Sequence, residues 1–287
     1  MTMTTAGPEA LAAGTAFVDL SSWRTVAVTG SDAIEWLNDI VSAHIADLAS
    51  GEARRSLLLS PTGGVLASFT VASSPDGLLL VQDPAEPRPI DGLLSMYVLS
   101  SDVQVHDRTG EFAIFAFPGR ERAPDHSRTV SAPSALGTGI DVVAPVGDHD
   151  GLAGSFAEAF ASVGAAAVDA WRVATAVPRI GVDTADGDLP QECGLESLVS
   201  FDKGCYLGQE SVAKVRNLGH PRRLLLSLES DRELSPRDEV VSGDQVAGAI
   251  TSAGRYDDRW VALARIRWEH RDGRLRTRGG AELRARG

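Results

Sequence analysis

The stretch FDKGCYLGQE, residues 201–210, packs a lysine, a cysteine, two glycines, a glutamine and a glutamate into one short segment. These residue types replace one another poorly, so the segment has several distinct jobs. Cys205 is its chemical centre, because a thiolate is a nucleophile and a soft-metal ligand that a nearby cation stabilises. An extended 201–206 would put Lys203 and Cys205 on one face and lower the thiol pKa. The other reading of Cys205 is a small buried hydrophobe, as free cysteine commonly is. Gly204 and Gly208 tilt the balance toward function, since glycine permits positive φ or close approach of backbone to a ligand. Gln209, Glu210 and Ser211 then open a helix with Val212 and Val215 on its apolar side. N–H groups at a helix start, together with a lysine, can hold a carboxylate or a phosphate. Glu210 and Lys214 stand four apart in the favoured order, an interaction worth roughly 0.3 kcal/mol.

Composition sharpens this reading. Of 27 basic residues only two are lysines, Lys203 and Lys214. Lysine is a compact point charge with a tunable pKa and arginine a broad planar fork. The pattern therefore suggests a need for a small ammonium here, with chance clustering of two rare residues as the alternative. Net charge is −12, with the acidic surplus before residue 210 and a net basic remainder. An acidic body does not suit direct nucleic-acid binding. The arginine-rich end, Arg265 through Arg286, reads as a solvated strand face or as a local anion or RNA patch. Cys193 and Cys205 fit no zinc spacing, and Cys193 reads as a small buried residue. No apolar run approaches a membrane span, and MTMTTAGPEALAAG lacks a basic leader region. A cytoplasmic protein with a short frayed start and no membrane partner is expected.

A length of 287 residues implies two or three units. TVAVTG reads as a strand, and SDAIEWLNDIVSAHI as a helix from the candidate N-cap Ser31 through Ile45. SLLLSPTGGVLASFTVAS reads as a hairpin around Pro61–Gly64. GLLLVQD is a strand, PAEPRP a loop and Ile90–Leu99 a short helix. VQVHD, EFAIFAFPG and GIDVVAP are strands. SFAEAFASVG and Val168–Val177 are helices, and GLESLV is a short helical piece. After Arg216, strand-like runs separated by Gly, Asp and Pro signal a small barrel or sandwich. The division expected is 1–217 and 218–287, with a further split of the first part near 110–150.

Pro190-Gln191-Glu192 precedes the opening motif. Glu192 reads either as a carboxylate facing the same cleft, able to accept two parallel N–H bonds from a 2-amino heterocycle, or as a first-turn anion of the helical piece that follows.

The run Lys203-Gly-Cys-Tyr-Leu-Gly-Gln-Glu210 resembles the K-G-C-[FY]-x-G-Q-E signature of the YgfZ family of folate-binding proteins. The likeness extends over PRIGVDTADGDLPQECGLESLVSF before it, AKVRNLGHPRRLLL after it, and GSDAIEWLNDIVSAHIADL near the N-terminus. That family is similar in fold to the T-protein of the glycine cleavage system, the aminomethyltransferase. The resemblance implies an α+β fold: a GcvT/YgfZ-like folate-binding region of two subdomains around a central cavity, then a C-terminal β-barrel. It implies a tetrahydrofolate-linked role in assembly or repair of iron–sulfur clusters in client enzymes, including tRNA-modifying and radical-SAM enzymes. Cys205 is then the key thiol with Lys203 beside it. Arg172, Glu192, Gly204, Tyr206, Gly208, Gln209 and Glu210 become the expected folate contacts.

Two departures from the T-protein bear on activity. Its G-G-I-x-D-D-L pattern matches Gly63-Gly64-Val65-Leu66-Ala67-Ser68-Phe69, so Ala67 and Ser68 stand where the acids would be. The expectation is that no general acid or base remains there. Its L-R-L-E-A-G matches WRVATAV, which keeps Arg172 but has Ala174 in place of the glutamate. Arg172 reads as a partner for the anionic folate tail or as an ordinary ion-pairing arginine. The leading expectation is a folate-dependent accessory protein; the alternatives are a folate-dependent one-carbon transferase and a folate-sensing module without chemistry.

Overall fold

Alternating apolar residues build the strands, and the computed structural model describes residues 6–124 and 129–286. The expected frayed start at residues 1–5 lies outside them. After α1 (Glu9–Ala12), β1 (Ala16–Asp19) enters one sheet and β2 (Arg24–Thr29) the next. β2 joins β3 (Ala53–Leu59), β4 (Val65–Ser74), β5 (Gly77–Gln82) and β6 (Gln104–Asp107) in the antiparallel order β3-β4-β5-β2-β6. The expected hairpin is β3–β4. Helices α2 (Ala33–Ile40) and α3 (Ile90–Ser95) cover this sheet, burying Ala33, Trp36, Leu37, Ile90 and Leu94 against Val28, Phe69 and Leu80.

The second sheet has the order β10-β1-β7-β9-β8, from β7 (Phe112–Phe117), β8 (Thr129–Ser131), β9 (Ile140–Pro145) and β10 (Ala161–Ser162). α4 (His149–Ala159) closes one face, where the rings of Phe17, Phe115, Phe117 and Phe156 meet. α5 (Ala165–Ala174) buries Val168 and Trp171 with Leu20, Ile114 and Ala116. After α6 (Gln209–Leu218), six strands close a barrel: β11 (Arg223–Ser230), β12 (Glu239–Ser242), β13 (Gln245–Tyr256), β14 (Arg259–Arg267), β15 (Leu275–Thr277) and β16 (Glu282–Ala285). The α+β region followed by a C-terminal barrel is the architecture expected from the sequence. No helix among the described residues is long and apolar enough to cross a membrane.

Local differences have identifiable causes. The helix expected from Ser31 to Ile45 stops at Ile40, where Val41 turns extended. Ser31 does not cap it; its hydroxyl donates to Asp102 at 2.9 Å. The helix expected over SFAEAFASVG ends at Ala159, because Ala161–Ser162 pairs with Ala16–Phe17 as an edge strand. Residues 201–206 are not a strand but a run of bends and irregular backbone.

That irregular run ends at Gly208, with φ +78°, immediately before α6. A Cβ at Gly208 would overlap the Ser60 carbonyl oxygen and sit 2.9 Å from the Gly63 Cα. One at Gly63, with φ +85°, would lie 2.8 Å from the Ser211 Cβ. The start of α6 is thus pressed directly onto the hairpin turn. Gly204 has nothing within 4 Å of a built Cβ and no positive φ. Gly208→Ala is expected to cost about 1–3 kcal/mol in denaturant unfolding, whereas Gly204→Ala leaves stability within about 0.5 kcal/mol of wild type.

Candidate functional site

A narrow cavity of about 50 Å³, open to solvent on one side, lies between the first two sheets. Its apolar wall includes Trp23 from the turn after β1, Phe69 of β4, Val81 of β5, Leu136, and Val168 and Trp171 of α5. Its polar wall includes Arg55 of β3, Ser68 of β4, Asp83 and Glu86 beyond β5, and Arg172 and Arg179. Aromatic rings beside a few convergent polar groups can stack a flat ring and fix its orientation.

The arginines differ in how they are satisfied. Arg172 is 6% exposed. Its Nε donates to Asp169 at 2.6 Å, Nη1 to Asp183 at 2.7 Å and Nη2 to the Ser252 hydroxyl at 2.9 Å. Arg179 pairs with Asp83 at 2.9 Å and Asp169 at 3.0 Å. Arg55 makes no hydrogen bond or ion pair among the described residues, although the Glu86 charge acts on it across the cavity wall.

Glu86 is 4% exposed. Its carboxylate accepts from the Ser68 N–H at 3.0 Å, the Ser68 hydroxyl at 2.5 Å and Gln82 Nε2 at 3.1 Å. Burial disfavours the charge, the hydrogen bonds oppose this, and the balance raises its pKa to about 7. The expectation that no acid stands beside Ala67 and Ser68 is therefore corrected. The acid comes from the proline-rich loop after β5, and the Ser68 that replaces an acid in the strand holds it. Neither Glu86 nor Arg55 was anticipated. The available signal was weak: a glutamate in the loop after an apolar strand, and one of two adjacent arginines in a hairpin.

The motif lies elsewhere. It packs on the hairpin turn, roughly 13 Å of strand from Ser68 at about 3.3 Å per residue. Lys203 turns away from solvent, and its ammonium donates to the carbonyl oxygens of Asn38, Val41 (2.7 Å) and Ala43 (2.9 Å). These carbonyls lie at the C-terminal end of α2 and the turn after it, where a cation is favoured. Burial lowers the Lys203 pKa to about 8, with Asp39 acting against it. The same turn is held by Ser42, whose hydroxyl donates to Leu198 O at 2.7 Å and accepts from Leu57 N at 2.9 Å. Tyr206 is 7% exposed in a cluster with Leu57, Val65, Leu195 and Val212. Gln209 accepts from the Tyr206 N–H at 3.3 Å. Glu210 is exposed at the first turn of α6, and no ion pair among the described residues joins it to Lys214.

Cys205 is exposed, Cys193 buried. Burial pushes the Cys193 thiol pKa well up, which suits the inert role expected of it. The Cys205 thiol has no hydrogen-bond partner among the described residues, and none of Lys203's three bonds reaches it. Glu192 accepts from Leu189 N at 3.1 Å and Arg222 N at 3.2 Å, tying the turn before the motif to the start of the barrel. It lines a second groove with Lys214, Arg222 and Arg265, not the cavity. Arg265 is paired with Asp188 at 2.6 Å, so the arginine-rich end is partly neutralised by the acidic body. No group of three or more His, Cys, Asp or Glu among the described residues could hold a metal ion. Arg172 therefore lines the cavity; Glu192 and the motif residues do not.

Two outcomes follow from these placements. Lys203→Met should lose about 2 kcal/mol in chemical unfolding, because it strands carbonyls served by a charged donor, and Lys203→Arg should not recover it. The second concerns pH. Glu86's pKa is higher folded than unfolded, so its contribution is intact below about pH 4.5 and lost as pH rises through about 7. The unliganded protein's melting temperature should fall across that window, and Glu86→Gln should flatten the fall.

The GCVT N-terminal domain family matches residues 3–123. A chloroplast protein of Arabidopsis thaliana, named as a transferase, is 24% identical over 273 residues, 83% of this chain. This chain spans 62% of that relative's length. A protein of Vibrio vulnificus named tRNA-modifying protein YgfZ is 22% identical over 259 residues, 83% of this chain and 80% of the relative. The crystal structure of the glycine cleavage system aminomethyltransferase T from Bartonella henselae superposes with a TM-score of 0.79 at 20% identity. It covers 96% of this chain and 86% of its own.

Proposed function

From the match of residues 3–123 to the GCVT N-terminal domain family and the likeness to relatives named YgfZ and aminomethyltransferase, we propose that the chain is a folate-binding accessory protein of the YgfZ/GcvT-like kind, supporting assembly or repair of iron–sulfur clusters in client enzymes. Its ligand is tetrahydrofolate or a derivative, held in the central cavity, and Cys205 is the working thiol. The setting is cytoplasmic, the partners are iron–sulfur client proteins, and direct binding to nucleic acid is not part of the role.

The observation that carries this reading is the division of labour within the motif. Lys203, Tyr206, Gly208 and Gln209 are spent on the fold. Gly204 and Cys205 are exposed, and a Cβ built at Gly204 would meet nothing within 4 Å. A glycine that neither conformation nor packing demands keeps the backbone beside the thiol open to a partner. Lys203 thus supports Cys205 as a positioning residue, by fixing the segment, and not as an adjacent cation. Relatives named as tRNA-modifying proteins agree with a role that reaches tRNA through modifying enzymes.

The second reading, a folate-dependent one-carbon transferase, is favoured by one observation. Glu86 supplies a carboxyl beside the strand position that lacks one. Formation of a folate one-carbon adduct from an aminomethyl donor would support it.

Calorimetric titration with tetrahydrofolate tests the primary reading. Wild type and Cys205→Ala should bind with Kd values within about twofold of each other, a difference under roughly 0.4 kcal/mol. In cells lacking the protein, wild type but not Cys205→Ala should restore methylthiolated tRNA. Absence of binding by wild type, or full rescue by Cys205→Ala, would overturn it.

A further inference from the structure

The cavity holds a carboxylic acid and a cation of unusual standing. Arg55 brings a guanidinium with no hydrogen-bond acceptor among the described residues into a wall it shares with Glu86. Glu86 is buried, and three protein donors already engage its carboxylate. Four lone-pair positions are available on a carboxylate, so one remains for a ligand. We propose that Glu86 is the proton-exchanging carboxyl of the central cavity: it takes up a proton from solvent when a ligand carbonyl or carboxylate engages Arg55, and then donates a hydrogen bond to that ligand as the neutral acid. This deepens the folate reading and rests on it, the reduced pterin ring being the ligand whose ring carbonyl meets Arg55.

Two effects drive the uptake in the same direction. A ring filling the cavity removes water from the Glu86 carboxylate, which disfavours its charge. An electron-rich oxygen on Arg55 weakens the attraction between that guanidinium and Glu86. The free carboxyl already sits near neutrality, with a pKa of about 7, so a small push changes its state. A neutral carboxyl in an apolar wall is a hydrogen-bond donor and a general acid.

The other charges around Glu86 are committed. Arg24 of β2 donates to the backbone carbonyls of Pro84 at 3.1 Å and Glu86 at 3.3 Å, fixing the loop. Asp83 is paired with Arg179, and Arg172 with Asp169 and Asp183. On the far wall, Asp141 lies beneath Ala135, whose N–H it accepts at 2.8 Å; burial raises its pKa to about 7 as well. Asp141 is therefore the competing acceptor of any proton taken up on binding, and substitution at Glu86 separates the two.

The experiment is calorimetric titration of the full chain with tetrahydrofolate, between about pH 6 and pH 8, in paired buffers of different ionisation enthalpy. Wild type should take up about half a proton per ligand at pH 7 and bind about tenfold more weakly at pH 8 than at pH 6. Glu86→Gln should take up none and show no such pH dependence, while circular dichroism confirms its fold. Arg55→Met should bind more weakly at every pH. Binding by wild type without proton uptake, a measurement that needs no variant, would overturn the inference and leave the folate reading standing. Unchanged uptake in Glu86→Gln would also overturn it, and would assign the proton to Asp141. Failure of wild type to bind at any pH would overturn the folate reading and this inference with it.

Discussion

The buried carboxylate of Asp183 holds the three parts of the molecule in one arrangement. Its side chain is wholly buried, and one oxygen accepts from Arg172 Nη1 and the Arg179 N–H. The other accepts from the hydroxyls of Thr251 and Ser252 on β13. Arg172 belongs to α5, and Arg179 reaches on to Asp83 beyond β5. One fully satisfied charge thus ties α5, the first sheet and the barrel together. A buried ion pair gains only when its geometry and remaining hydrogen bonds are complete, and here both oxygens are filled. The bare Gly254 of β13 lets the barrel approach α5 closely, since a Cβ there would lie 3.0 Å from the Ala170 Cα.

A second lock sits at the other end of β4. The Lys203 ammonium gathers carbonyls from the end of α2, Tyr206 fills a core cluster, and Gly208 seats α6 on the Ser60–Gly64 turn. These contacts explain why the motif tolerates few alternatives in its structural positions. An arginine fork would fit three converging carbonyls poorly, whereas a single ammonium with three donors fits them directly. Gly204 and Cys205 lie outside this account: both are exposed, and neither takes part in these contacts.

The two locks bracket the cavity. Its rear wall is fixed by Arg172 and Arg179, and its polar corner by Ser68, Gln82 and Glu86. The acid that strand β4 lacks at Ala67 and Ser68 arrives from a loop, held by the very serine that stands in its place. A carboxyl therefore stands beside Ser68 although the strand itself carries none, because tertiary proximity, not sequence position, decides which groups share a cavity.

Local pattern and recognisable spacing settled much by themselves. The β3–β4 hairpin was legible from two apolar runs around Pro61–Gly64, the barrel from short strands separated by turn residues, and the importance of 201–210 from its residue types. What only the tertiary structure decided were the partners. Lys203 was expected beside Cys205 on an extended segment, but three carbonyls more than 150 residues away in sequence claimed it. Glu192 went to the barrel junction, and Glu86 and Arg55 became the charged corner of the cavity. A side chain's periodicity reports the face it occupies. Its hydrogen-bond partner depends on which distant backbone is left unsatisfied once the elements pack, and a single sequence does not encode that in any local signal.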